Sequence, residues 1–336
     1  MSLLGLKLKL GLFPDAKKID KRYDALVKEH QDYVEYSQSE ELERFEYLNK
    51  YLNSAEFEEK ENNPDSDREE IKSLKKELEV LKKSPKLIQY FKSKAQEAKF
   101  IPIKAWNVIF EDHFIEKLNA DKWLTRYYWG DKLLNDNYSL PGDQHYNTGG
   151  KNISVSNSVL SIVTQNEKAK GAMWHPELGF VSREFSYTSG VINTGKSFRH
   201  QFGKVEAMVK IPKGHAYHAF WLSGERMLPQ INIFEYTGGK FYLGNFWGDA
   251  ADRNGISQDN TAVSGAFAGR YCIFSLEWTP KQLTWSVNGV VFKTIQRGIP
   301  TEPMYLSFAS GVKAGSKGFS QSLKLEIDWV RFYTKA

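Results

Sequence analysis

Leu323-Lys-Leu-Glu-Ile-Asp-Trp-Val-Arg-Phe332 alternates apolar and polar side chains with a period of two, the pattern of a strand with one face on a core. The same period returns in Gly203-Lys-Val-Glu-Ala-Met-Val-Lys-Ile211, Ile153-Ser-Val155, Val159-Leu-Ser-Ile-Val163 and Leu283-Thr-Trp-Ser-Val287. Turn residues separate these runs: Asn157-Ser158, Pro212-Lys-Gly214 and Asn288-Gly289. Many strands joined by short turns, with no helical pattern between them, specify an all-β antiparallel sandwich or barrel for the second part of the chain.

The first hundred residues read differently. They hold 20 basic and 21 acidic side chains, but only two of the 25 glycines and none of the nine tryptophans, so a boundary is expected near residue 100. Ile19, Tyr23, Leu26, Val27, His30 and Val34 recur at spacings of three and four, which predicts a helix from about Asp15 to Tyr36 with His30 on its apolar stripe. Ile71, Leu74, Leu78 and Leu81 predict a second, opened by Ser66 and Glu69 as a capping box. Ser84-Pro85 reads as a cap followed by a first-turn proline. Ser39, Ser54 and Ser84 begin similar tetrapeptides at multiples of fifteen residues, the mark of short helices that must stack to bury single stripes. The charge runs Glu58–Glu61 and Lys72–Lys76 read as solvated faces. The expected organisation is a helical segment over 1–100 and a β-sandwich over 101–336. A docking arm for a protein partner and a bundle that packs only on its neighbour both remain open for the helices.

Composition narrows the function classes. At 336 residues, 41% apolar and 14% aromatic, the chain has material for a real core, which excludes global disorder. The net charge of +5 lies in the second part without a Lys/Arg cluster, so nucleic acid is excluded as a partner. No apolar run reaches the roughly 18 to 20 residues of a membrane helix, and Lys7 and Lys9 interrupt the leucines of Met1–Phe13, so a soluble chain is expected. The lone Cys272 excludes a disulfide framework and a cysteine metal site. No phosphate-binding loop, dinucleotide turn or nucleophile elbow is present.

The chemistry concentrates in Gln230-Ile-Asn-Ile-Phe-Glu235-Tyr-Thr-Gly238. In a regular strand Gln230 and Asn232 share a face and Glu235 points away from it. A one-residue bulge between 232 and 235 restores the parity and sets three polar side chains in a row. The ends of such a row can lean together to about 5 to 5.5 Å, the separation used by two carboxyls in a retaining glycosidase. Without further context, Gln and Asn on an alternating strand are only polar residues on a wet sheet face.

The context is supplied by a resemblance. Gln230-Ile-Asn-Ile-Phe-Glu235-Tyr-Thr-Gly is similar, position for position, to the Glu-x-Asp-x-x-Glu strand of glycoside hydrolase family 16, the laminarinase and β-glucanase group. Phe110-Glu-Asp-His-Phe114 with Lys122-Trp123 resembles that family's opening strand. Tyr187–Ile192, Phe202–Ala207 and Ala219-Phe-Trp-Leu222 resemble its middle. Phe274–Pro280, Trp285–Gly289, Pro303–Leu306 and Ile327–Tyr333 resemble its close. The resemblance runs from about Val108 to Tyr333 and implies a concanavalin-like jelly-roll sandwich with a glycan cleft on its concave face. It also implies an extracytoplasmic location and a β-linked glucan or galactan as substrate or ligand.

By the same resemblance, Glu235 stands at the acid/base position, Gln230 at the nucleophile position and Asn232 at the assisting position. A carboxamide neither stabilises an oxocarbenium-like transition state as a carboxylate does nor readily forms a glycosyl ester, so impaired hydrolysis is expected, with a non-catalytic carbohydrate-binding protein as the alternative. The amides also remove the negative neighbours that would keep Glu235 protonated. Trp129, Trp174, Trp221 and Trp247 are candidates for stacking on sugar rings, two of them expected in the cleft. Tyr217 and His218 are further lining candidates, and Phe246 stands where a histidine is common in the family. Trp278, Trp285 and Trp329 read as core. Glu225, Asp249 and Asp252 are the nearest spare carboxylates and read as loop acids. No cofactor is expected. Calcium, which some members hold between acids of the first and last strands, finds Asp328 at one position, but His113 replaces a glutamate at the other.

Overall fold

A computed structural model describes residues 13–248, 255–263, 267–316 and 318–336. By its internal contacts the chain divides into two units. One gathers the described residues up to Ile19 with Asn107–Lys335, and the other holds Asp20–Trp106 with Ala336.

Helices run α1 Ala16–Tyr36, α2 Glu40–Tyr51, α3 Ala55–Asn62, α4 Arg68–Leu81, α5 Pro85–Ala95 and, after a 3-10 turn at Glu97–Phe100, α6 Ile101–Lys104. The repeated serines mark helix starts. Ser39 and Ser54 accept from the backbone N–H groups of Leu42 and Phe57, and Ser84 caps without a side-chain bond ahead of Pro85. For α4 the expected Ser66 cap is corrected. Asp67 takes that place and accepts from the N–H groups of Glu69 and Glu70, an anion set against the positive end of the helix. Tyr36, Leu42, Leu87 and Tyr90 form the core of this unit. His30 packs its ring 4.9 Å from that of Phe100 rather than facing solvent as a ligand. The charge runs lie outside, paired as Lys60–Glu70 and Lys75–Glu61.

The other unit is a sandwich of two mostly antiparallel sheets. The larger has the order β17-β16-β15-β10-β19-β5-β4, with β1 beside β19. Its strands are β1 Trp106–Asp112, β4 Ile153–Ser156, β5 Val159–Thr164, β10 Gly203–Lys210, β15 Tyr271–Trp278, β16 Leu283–Val287, β17 Val290–Ile295 and β19 Leu323–Lys335. The smaller has the order β14-β13-β12-β11-β18-β9. It is built from β9 Val191–Asn193, β11 Tyr217–Arg226, β12 Leu228–Thr237, β13 Lys240–Gly248, β14 Ile256–Val263 and β18 Tyr305–Gly311. Beyond them lie α7 Tyr128–Leu133, a small sheet of β2 Tyr138–Ser139, β6 Ala169–His175 and β7 Gly179–Phe185, and the pair β3 His145–Asn147 and β8 Tyr187–Ser189.

The alternating runs fold as their pattern requires. Asn157 and Ser158, at φ of 52° and 56°, turn β4 into β5, and Asn288 and Gly289, at 49° and 76°, turn β16 into β17, so both pairs adopt the left-handed backbone of two-residue hairpin loops. Between the sheets, Phe234 of β12 meets Phe274 of β15 at 4.5 Å, and Phe220 stacks on Phe308 at 4.1 Å. Trp278 and Trp285 are buried in the same core, while Trp329 is buried beside Ala16, Met208 and Ile273 on the outer face of the larger sheet. Cys272 is also fully buried, and desolvation pushes its thiol up to about 11.

Phe234→Ala should therefore destabilise the sandwich by about 3–5 kcal/mol, whereas Val291→Ala, at an exposed position, should stay within roughly 0.5 kcal/mol. Urea unfolding followed by tryptophan fluorescence reads this unit, because eight of the nine tryptophans lie within it. Equal effects of the two substitutions would contradict the assignment of this core.

Candidate active site

The site is set by a change of register on β12. Gln230, Ile231 and Asn232 oppose Phe246, Asn245 and Gly244 of β13, and the pairing then resumes with Glu235 opposite Tyr242. Three steps on one strand match two on the other, which is the expected one-residue bulge. Ile231, Ile233 and Phe234 go into the core, leaving Gln230, Asn232 and Glu235 on the opposite face.

Hydrogen bonds run one way along that row. Gln230 Nε2 donates to Asn232 Oδ1 at 2.6 Å, and Asn232 Nδ2 donates to Glu235 Oε2 at 3.0 Å. Behind the bulge Trp285 Nε1 donates to the Asn232 carbonyl at 2.9 Å, fixing the backbone from the core side. Burial pushes the Glu235 carboxyl above its ordinary range, opposed by the positive charge of Lys313 and by the Asn232 amide. Lys313 is held by Asp143, Nζ to Oδ1 2.7 Å, and stands 4.5 Å from the centre of the Tyr217 ring. Asp143 is fully buried and also accepts from the Leu140 N–H at 2.8 Å.

The row lies in a cleft of about 950 Å³ whose walls include Trp129, Trp174, Phe180, Phe246 and Lys313. A smaller cavity of about 200 Å³ adjoins it, sharing Trp129, Gln230 and Lys313 and adding Tyr217 and Trp221. Thus Trp129 and Trp174 reach the main cleft, and Trp221, buried with its Nε1 donating to Ser223 Oγ at 2.9 Å, reaches only the smaller cavity. Two candidates belong elsewhere. His218 lines neither space. It alternates with Tyr217 along β11, so it points toward the core with Phe220 and Leu222, its Nδ1 lies 2.8 Å from Ser310 Oγ, and burial pushes its pKa down to about 3. Trp247 follows Phe246, whose side chain shares the cleft with Gln230, so the tryptophan takes the other face and covers Gly298. A Cβ on that glycine would come within 2.3 Å of the indole.

Other groups are corrected or placed outside. Glu225, expected as a loop acid, lies instead near the end of β11, bound by Arg199 at 2.5 Å, by Lys132 and by the Tyr128 hydroxyl, and the two cations hold its carboxyl below the usual range. Asp249 and Asp252 lie outside the described residues. No group of three or more His, Cys, Asp or Glu side chains among the described residues is arranged to hold a metal ion. Asp328 therefore belongs to no such set, and His113, 3.2 Å from Glu111, offers an imidazole where calcium takes oxygen. Sequence reasoning missed Lys313 and Asp143. They are 170 residues apart and meet where the segment after β18 pairs with the loop after β2, a pairing that no local pattern announces.

Residues 142–331, more than half of the chain, match the family model for glycosyl hydrolases family 16. The chain belongs to that family. It is 25% identical over 213 residues to glucan endo-1,3-beta-glucosidase A1 of Niallia circulans, an alignment covering 56% of this chain and 29% of that protein, so the chain spans under a third of the relative's length. Among solved structures, the catalytic domain of the endo-1,3-beta-glucanase (laminarinase) from Thermotoga petrophila superposes with a TM-score of 0.55 at 21% identity, covering 69% of this chain and 99% of that one. The endo-beta-1,3-glucanase from Pyrococcus furiosus gives 0.54 at 21%, covering 69% and 95%. These neighbours share the family's jelly-roll sandwich with this chain.

The raised Glu235 carboxyl has a measurable sign. The folded chain binds that proton more tightly than the unfolded chain does, so its contribution is present in acid and is lost as pH rises above the ordinary value of 4.5. Glu235→Gln should raise the melting temperature relative to the parent near neutral pH, with the gain shrinking toward about pH 4. A gain that grew in acid would reverse the assigned cause.

Proposed function

We propose that the sandwich binds a β-linked glucan along the Gln230–Asn232–Glu235 row and that its hydrolytic machinery is impaired because the row carries one carboxyl and two amides. The observation that carries this reading is the one-way hydrogen-bonded row itself. By the family resemblance, its members take the positions of the nucleophile, the assisting acid and the general acid of a retaining hydrolase. Burial raises the Glu235 carboxyl despite the loss of negative neighbours, which is the direction that the acid role needs. What is missing is the nucleophile. Gln230 can hold a sugar hydroxyl or ring oxygen by hydrogen bonds, but its neutral amide offers little to a developing cation.

Trp129 and Trp174 offer ring faces for pyranose stacking, and Gln230, Asn232 and Glu235 offer hydroxyl partners. The two matched glucanases and the Niallia circulans glucosidase carry 1,3-β-glucan activity in their names, which favours that linkage for this cleft. A polysaccharide ligand suits the extracytoplasmic location implied by the family. Among the described residues no helix is long and apolar enough to cross a membrane. For the helices, the docking-arm reading is supported by exposed apolar side chains at Tyr47, Val80, Ile88 and Phe91.

Calorimetry with laminari-oligosaccharides should give binding in the roughly micromolar to millimolar range. Gln230→Glu combined with Asn232→Asp should restore hydrolysis of an activated aryl β-glucoside with retained anomeric configuration, by about a thousandfold or more over the parent. Robust turnover by the parent that Glu235→Gln abolishes would overturn the impaired reading. Binding without any recovery in the double variant would show that the amides are not the only defect.

A further inference from the structure

The mouth of the cleft carries side chains that a bare glucan does not use. Among the described residues, Leu133 of α7, Met227 between β11 and β12, and Ile256 at the start of β14 are exposed by 68%, 43% and 41%. All three line the cleft directly. Three separate elements thus bring an aliphatic side chain to one opening, at positions where polar residues are usual.

Their chemistry is not that of sugar stacking. An aromatic face suits the axial C–H face of a pyranose, and Trp129, Trp174 and Phe246 supply such faces deeper in the cleft. Branched and thioether chains have no flat face and instead match the sides of an alkyl or acyl group. The polar groups concentrate in the partly buried Gln230–Asn232–Glu235 row with Lys313, while the exposed Arg226 stands beside Met227, so the cleft pairs a polar row with exposed aliphatic side chains. That is the outline of an amphipathic ligand with its sugar on the row and its hydrocarbon toward the opening.

We infer that the cleft takes a glycan whose sugar carries an alkyl or acyl chain, and that Leu133, Met227 and Ile256 determine this specificity. The inference rests on the glycan-binding reading of the row and adds to it the substituent beyond the sugar. Burying these side chains against a chain removes apolar surface from water on both partners, so affinity should grow with chain length.

Calorimetry on the full chain with n-octyl β-D-glucopyranoside and methyl β-D-glucopyranoside, both below micelle-forming concentrations, tests it. The octyl compound should bind at least about tenfold more tightly and with a negative heat-capacity change. In Leu133→Asn with Ile256→Asn, both exposed and so compatible with folding, the octyl-to-methyl ratio should fall to about twofold or less. A ratio near one in the parent overturns the inference, as does a ratio that survives in the variant, which would mean adsorption elsewhere. Laminari-oligosaccharides titrated in parallel separate the two readings. If they bind while the octyl ratio is near one, only this inference fails. An octyl preference that depends on these side chains, in a chain that binds no oligosaccharide, sustains the apolar opening and overturns the glucan reading.

Discussion

One extra residue on β12 organises the whole site. A regular strand would send Glu235 into the core behind Gln230 and Asn232, where an unpaired carboxyl costs more than the packing around it returns. The bulge turns it outward while Ile233 and Phe234 both go inward, so the same irregularity places the acid and completes the core beneath it. The indole of Trp285 locks the irregular backbone from the far sheet, tying the cleft's geometry to the packing of the sandwich.

The electrostatics follow from that placement. A carboxyl on a half-enclosed sheet face meets desolvation first, and here its neighbours are amides whose donated hydrogen only partly offsets it. Lys313 supplies the opposing charge but is itself committed to the buried Asp143, so the cation acts on Glu235 through its field rather than by contact. The cleft thus sets one acid, raised by burial, near a cation anchored to Asp143.

Much of this was legible in the chain, for physical reasons that differ by element. Period-two runs and their Asn-Ser and Asn-Gly turns foretell the strands, since side-chain alternation and left-handed turn backbone are local properties. The bulge was legible because Gln230 and Glu235 make chemical sense only on one face. Parity along β11 and β13 likewise excludes His218 once Tyr217 faces the cleft, and Trp247 once Phe246 does, a rule that candidate selection by residue type overlooked. Ser66 gave way to Asp67 because neighbouring cap residues compete within one turn. The Asp143–Lys313 pair and the ion cluster around Glu225 were not legible, because each joins segments distant in sequence whose meeting depends on the closed fold.

The burial of Cys272 has a practical meaning for experiments on the cleft. It is the only thiol in the chain, has no exposed surface and is pushed up to about 11, so at neutral pH it is both shielded and unionised. Alkylating probes should therefore leave the folded parent unmarked. A single cysteine introduced at the cleft, as in Leu133→Cys, would become the sole reactive position and could carry a fluorophore that reports ligand entry without first removing the native sulfur.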